Sequence, residues 1–137
     1  MKRHWIDYQD SQPLLPMTYW VHRVAANGEG WYDATEFEPP REPRVVGKGY
    51  PVLHIEVDGF TFQFSSRAEI EECIRVLDQR HMPRALDLAN ARDGAIGLNK
   101  HWLSRLPAHV KSWKYRQKAT SYFRAAIQSF EKELGQT

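Results

Sequence analysis

Val52-Leu53-His54-Ile55-Glu56-Val57-Asp58-Gly59-Phe60-Thr61-Phe62-Gln63-Phe64-Ser65-Ser66-Arg67-Ala68-Glu69 carries two structural signals in succession. Asp58-Gly59 supplies the positive backbone angles of a two-residue type I′ turn, whose twist matches that of paired strands. Apolar residues alternate with polar ones on both sides of it. A two-residue loop pairs Val57 with Phe60, Ile55 with Phe62 and Leu53 with Phe64. These six side chains then share one face, and His54, Glu56, Thr61 and Gln63 share the other. The second signal, Ser66-Arg67-Ala68-Glu69, is a capping box that opens a helix.

Beyond it, Ile70, Cys73, Ile74 and Leu77 recur at helical spacing, with Glu69, Glu71, Glu72, Arg75 and Asp78 turned away. This helix is expected to run to Arg80-His81-Met82, where Pro83 stops it. Pro83 then opens a second helix through Ala85, Leu86, Leu88 and Ala89, closed at Asp93-Gly94. Residues 94–99 read as a loop, and Lys100 to Leu106 as one helical turn before Pro107. From Ser112 to Leu134 the spacing of Ala119, Phe123, Ala126, Ile127, Phe130 and Leu134 predicts a long helix. Arg116 falls inside that stripe, so its head must snorkel out or meet a carboxylate.

Toward the N-terminus, Thr18 to Val24 is rich in β-branched and aromatic residues and reads as a strand. Asn27-Gly28-Glu29-Gly30 reads as a turn and Trp31 to Ala34 as a short return strand. Residues 39–51, with Pro39, Pro40, Pro43, Pro51, Gly47 and Gly49, read as a surface loop. Residues 1–16 read as an irregular arm pinned by Trp5 and Tyr8. Strands precede helices, so the expected architecture is a single α+β domain spanning 1–137. A small antiparallel sheet, including the 52–64 hairpin, is packed by three helices, the longest at the C-terminus.

Bulk properties agree with one globular domain. The chain has 137 residues, 42% of them apolar and 26% charged, enough to bury about two thirds of the unfolded surface. A single cysteine, Cys73, leaves no internal disulfide and suits a reducing cytoplasm, the expected location. Met1-Lys2-Arg3-His4-Trp5-Ile6-Asp7 is not a signal peptide, and no run approaches the ~20 apolar residues of a membrane helix. A soluble protein without a membrane partner is therefore expected. The sequence assigns no oligomeric state.

Charge is divided along the chain. Residues 1–93 hold 11 Lys and Arg against 15 Asp and Glu, a balance of −4, whereas residues 94–137 hold 8 against 2, a balance of +6. No acidic residue occurs between Gly94 and Phe130. Such polarity predicts an anionic partner, either nucleic acid or an acidic protein surface. Lys111, Lys114 and Lys118 form a one-sided row suited to phosphates, Lys100 and Arg105 add cations, and Trp102 and Trp113 offer faces on which bases could stack. The Pro-rich loop, with Arg41, Arg44 and Lys48, is a second candidate contact.

Catalytic signals are weaker. Lys100, His101, Arg105, His109 and Tyr115 are the residue types of a metal-independent ribonuclease, but their spacing does not demand that use. No histidine pair has metal-ligand spacing and Cys73 has no thiol companion, so neither metal nor cofactor is expected. Cys73 reads as a buried, inert thiol. Gly94-Ala95-Ile96-Gly97 lacks the Gly-Lys-Ser/Thr of a nucleoside-triphosphate loop. The preferred reading is a small non-catalytic accessory protein that binds nucleic acid or a nucleoprotein complex through its basic, aromatic C-terminal third. The alternative is an inhibitor- or immunity-type module docking on an acidic protein, and the third is the ribonuclease.

Overall fold

At the hairpin turn Asp58 has φ 48° and Gly59 φ 90°, the left-handed angles that a type I′ turn requires. The computed structural model describes residues 1–24, 30, 31, 34, 36–84 and 102–134. Strand β4 (Tyr50–Val57) and strand β5 (Phe60–Phe64) pair in the expected register, Val57 with Phe60, Ile55 with Phe62 and Leu53 with Phe64. Of the six apolar side chains on this face, five are buried and Phe60 is half-buried. The fold is α+β, with a small antiparallel sheet and the longest helix at the C-terminus.

The N-terminal arm is the first correction. Lys2–Gln9 is not irregular but forms strand β1, antiparallel to β4 along its whole length, from Lys2 opposite Val57 to Gln9 opposite Tyr50. The sheet order is β1-β4-β5, so the hairpin's first strand is central. Side chains of β1 alternate, His4 and Tyr8 reaching the C-terminal helix while Trp5 stacks on His54 across the other face. The alternation escapes a hydropathy reading because His4 and Tyr8, inward on either side of Ile6, are polar-tipped. His4 binds the Tyr122 hydroxyl at 2.7 Å through Nδ1, and Tyr8 donates to Glu133.

Residues 18–24 are the second correction. Thr18–Val21 is a helical turn, α1, and only Arg23–Val24 is extended, as β2 against β3 (Phe37–Glu38). The turn wins because it brings Thr18 and His22 to a buried carboxylate. The expected turn and return strand at 27–34 fall largely outside the described residues. The loop expected over 39–51 gives up Tyr50 and Pro51 to β4, where Pro51 lies opposite Tyr8. Pairing parity turns the missing Pro51 N–H to the β5 side, beyond the last β4–β5 pair at Leu53 and Phe64, so no ladder bond is lost. Gly49, at φ 116°, packs on β1: a Cβ there would lie 2.6 Å from the Gln9 carbonyl oxygen.

Helix α2 (Arg67–Leu77) begins where expected, with the Ser66 hydroxyl accepting the Glu69 amide. Glu69 itself does not turn to solvent. It is fully buried, and its carboxylate accepts from the Ser65 amide at 3.0 Å, the Thr18 hydroxyl at 3.1 Å and the Ser65 hydroxyl. His22, also fully buried, bridges the Pro39 carbonyl and the Ser66 hydroxyl, with Nε2 3.4 Å from Glu69. The network ties α1, the residues after β5, the Pro39 segment and the start of α2 to one point.

The other end of α2 is also held by a buried charge. The helix ends at Leu77 with Asp78 as its C-cap, short of the expected Arg80-His81-Met82. Arg116, 5% exposed, donates to the Leu77 carbonyl at 3.0 Å and to the carbonyls of Gln79 and Arg80. Those last carbonyls have no partner within a helix, so a guanidinium replaces the missing turn. Among the described residues Arg116 thus meets carbonyls rather than a carboxylate, and it does not snorkel. From Ala85 onward, the expected second helix and the 94–99 loop lie outside the described residues. Trp102–Arg105 supplies the expected helical turn as a 3-10 segment, followed by another at Ala108–Lys111.

Helix α3 (Trp113–Glu133), capped by Ser112, matches the expected long helix. Ala119, Phe123, Ala126 and Phe130 are buried in its stripe; Phe123 meets Phe62 and Phe64 edge-on at 4.9 and 5.5 Å. From α2, Ile70, Cys73, Val76 and Leu77 complete this core. Burial pushes the Cys73 thiol well above its ordinary range, which removes it as a nucleophile. No helix among the described residues is long and apolar enough to cross a membrane.

Two substitutions test the anchors of α2. Arg116→Met preserves apolar volume but orphans the carbonyls after Leu77, and urea denaturation is expected to show a loss of about 3 kcal/mol; Arg124→Met, whose exposed head pairs with Asp78, is expected to cost under about 1 kcal/mol. Glu69→Gln places an amide N–H₂ among donors and is expected to cost about 2 kcal/mol. Glu72→Gln, which affects only the solvent-side pair with Arg75, is expected to leave the midpoint nearly unchanged.

Candidate anionic-partner interface

Helix α3 starts with no acidic residue in its first turn and with Lys114 in it, although helix N-termini favour negative charge. Lys111 precedes the helix and is half-buried, whereas Lys114 is exposed. Lys118, one turn beyond Lys114 on the same face, donates to the Asp58 carboxylate at 2.6 Å. Asp58 projects from the hairpin turn and also accepts from the Met1 amino group at 2.7 Å. The hydrogen bond from Lys118, with that from the amino group, lowers the Asp58 carboxyl to about 2. Lys118 thus ties the row to the turn from which β5 departs.

The two tryptophans have different fates. Trp102 is 2% exposed and belongs to the core, so it offers no face to a base. Trp113 is half-buried, with the Arg116 guanidinium 5.0 Å and that of Arg80 5.7 Å from its ring. Arg80 therefore joins the basic surface through a contact between the end of α2 and the start of α3. Its position in the sequence carries no sign of this, because the contact depends on where α2 stops. Arg105 closes the 3-10 turn Trp102–Arg105, and Lys100 and His101 lie outside the described residues.

Other sequence candidates are engaged internally. Arg41 donates to the Pro13 carbonyl and lies over the Trp31 and Phe37 rings, and burial lowers its pKa. Arg44 donates to the Asp10 carbonyl at 3.1 Å, and Lys48 pairs with Glu133 at 2.7 Å. These cations pin the Pro-rich segment to the body, so it is not a free binding arm. Tyr115 donates its hydroxyl to the Val57 carbonyl at 2.8 Å, and its pKa is pushed up to about 12, first by burial and then by Asp58 and Cys73. A hydroxyl so placed is a poor proton carrier for a ribonuclease. His109 is exposed, in edge contact with Tyr115. Among the described residues no cluster of three His, Cys, Asp or Glu side chains is arranged to hold a metal ion.

Among the described residues, the cations left at this surface are Lys111 and Lys114, with Lys118 held by Asp58 and Arg80 lying on Trp113. Such a surface can hold anionic oxygens.

The Asp58–Lys118 contact has a pH signature. A lowered carboxyl stabilises the fold above its ordinary range near 3.8, and that stabilisation is lost as pH falls toward about 2. Carboxyl-carbon NMR should place the Asp58 midpoint near 2, and Lys118→Met should move it upward toward the ordinary value; an unmoved midpoint contradicts the assignment. Comparisons of the chain with protein-family models, curated proteins and solved structures find no match in any of the three.

Proposed function

We propose that this protein is a non-catalytic interaction module that docks an acidic protein partner through Lys111, Lys114 and Lys118, with Arg80 and Trp113 beside them. The observation that carries this reading is the fate of the two tryptophans near the lysines. Lys114 and Lys118 are exposed on α3 and Lys111 is half-buried just before it, while Trp102 is buried and Trp113 has two guanidiniums on its ring. Single-stranded nucleic acids are held by stacking as well as charge. With Trp102 buried and Trp113 half-buried beneath guanidiniums, the surface offers chiefly the electrostatic half of that mode. An acidic protein surface needs no stacking: charge steers the encounter and selects the sign of the partner. This reverses the order of preference given by composition, in which Trp102 counted as a stacking residue.

Affinity capture from nuclease-treated extract is the direct test. One protein is expected to be retained by the wild type and lost with Lys111→Glu/Lys114→Glu, and the association rate should fall steeply between 50 and 200 mM salt, by about tenfold. Retention that disappears after nuclease treatment, with duplex affinity falling at a log–log salt slope of about −3 or steeper, would make nucleic acid the partner instead.

A further inference from the structure

The edge of β5 away from β4, unpaired among the described residues, borders an apolar groove of about 180 Å³, lined by Phe60 to Phe64, by Pro16 and Met17 before α1, and by Trp102 and Leu106. Pairing parity determines what this edge presents. Phe60, Phe62 and Phe64 face Val57, Ile55 and Leu53, the first pair closing a two-residue turn, so their backbone groups point to β4. The N–H and C=O groups of Thr61 and Gln63 consequently point away from the sheet, along the groove. Among the described residues no backbone group pairs with them. Alternating donors and acceptors beside an apolar trough match an extended peptide. A hydrocarbon ligand would instead leave those groups desolvated.

Charge selects the peptide. Lys118 lies on the Asp58 carboxylate in the turn that opens β5, with Lys114 one helical turn before it. Leu106 on the groove wall leads through the Ala108–Lys111 turn into the same lysine row. Groove and Lys118, with Lys114 one helical turn from it, therefore meet at the N-terminal end of β5. We propose that β5 accepts an antiparallel strand from a partner protein, apolar where its side chains enter the groove and acidic at the C-terminal end that meets Lys114 and Lys118. The sign of this occupant rests on the acidic-partner reading above; the pairing rests on the strand edge.

The probe is a fluorescein-labelled, N-acetylated peptide Val-Thr-Val-Ile-Val-Asp-Glu-Glu, added to the full chain. Fluorescence anisotropy should report saturable binding, and NMR should show the Thr61 and Gln63 amide signals shifting with it. N-methylation of alternate peptide amides should weaken binding about tenfold in one parity and leave it unchanged in the other, because only one edge of the peptide faces β5. Thr61→Pro should also weaken it about tenfold, since proline is tolerated on an outer edge but cannot donate there. Binding that ignores methylation parity but falls with Lys114→Glu overturns strand addition and leaves acidic docking standing. Binding that keeps its parity but is equal for a peptide ending in Lys-Lys-Lys overturns the acidic reading and the occupant chosen here. Absence of binding, slow hydrogen exchange of the Thr61 and Gln63 amides in the free protein, or a wild-type dimer that Thr61→Pro dissociates each overturns the proposal.

Discussion

A fully buried carboxylate, Glu69, organises the N-terminal half of this molecule. Removing an ionised group from water is costly unless donors replace the lost hydration. Here the replacements come from distant parts of the chain: Thr18 between β1 and β4, Ser65 just after β5, and His22 at the edge of the site. The carboxylate also lies in the first turn of α2, where the helix field favours negative charge. Each donor constrains its own segment. Thr18 can reach Glu69 only if residues 18–21 coil, and His22 can bridge Ser66 and Pro39 only if the chain then turns outward. A segment with strand propensity is thus converted into a helical turn by one buried charge.

Arg116 plays the matching part at the far end of α2. A guanidinium inside an apolar stripe looks like a defect, yet its planar donors suit several carbonyls at once. Since a helix terminus buried against α3 would otherwise leave the carbonyls after Leu77 unsatisfied, the arginine solves two problems with one set of bonds. Between these two charges lies an apolar layer, with Phe123 wedged edge-on against Phe62 and Phe64. That layer supplies non-directional burial. The charges choose among the ways of packing it.

This division explains what could be read from the sequence. The hairpin and the C-terminal helix were legible because their signals are local: Asp58-Gly59 sets the turn angles, and a period of two or 3.6 sets the buried face. Glu69 was legible as a helix-start residue but not as a buried one, because its hydroxyl partner Thr18 lies far away in the chain. Strand β1 was hidden because its inward residues His4 and Tyr8 end in polar atoms that bind α3. Of the candidate site, the lysine row could be read from helical spacing. The burial of Trp102 could not, since a single aromatic in a short 3-10 turn has no periodicity to place it. Arg80 depended on the point where α2 ends, which Arg116 determines from another helix.

The same contacts narrow the meaning of the acid-free window. Much of its positive charge is answered within the fold: Arg116 by carbonyls, Lys118 by Asp58, Arg124 by Asp78. The acidic half supplies Asp58 and Asp78, so the asymmetry along the chain partly reflects α3 packing against residues of opposite sign. Lys114 is different. It occupies the first turn of a 21-residue helix whose dipole is already positive there, with no acid in that turn to offset it. Such an arrangement costs a few tenths of a kcal/mol or more in the isolated protein. An anionic group brought to the same place would turn that cost into attraction, with the helix N-terminus and the lysine acting in the same direction. Among the described residues, the positive field at the start of α3 is therefore a part of the charge pattern that packing does not account for.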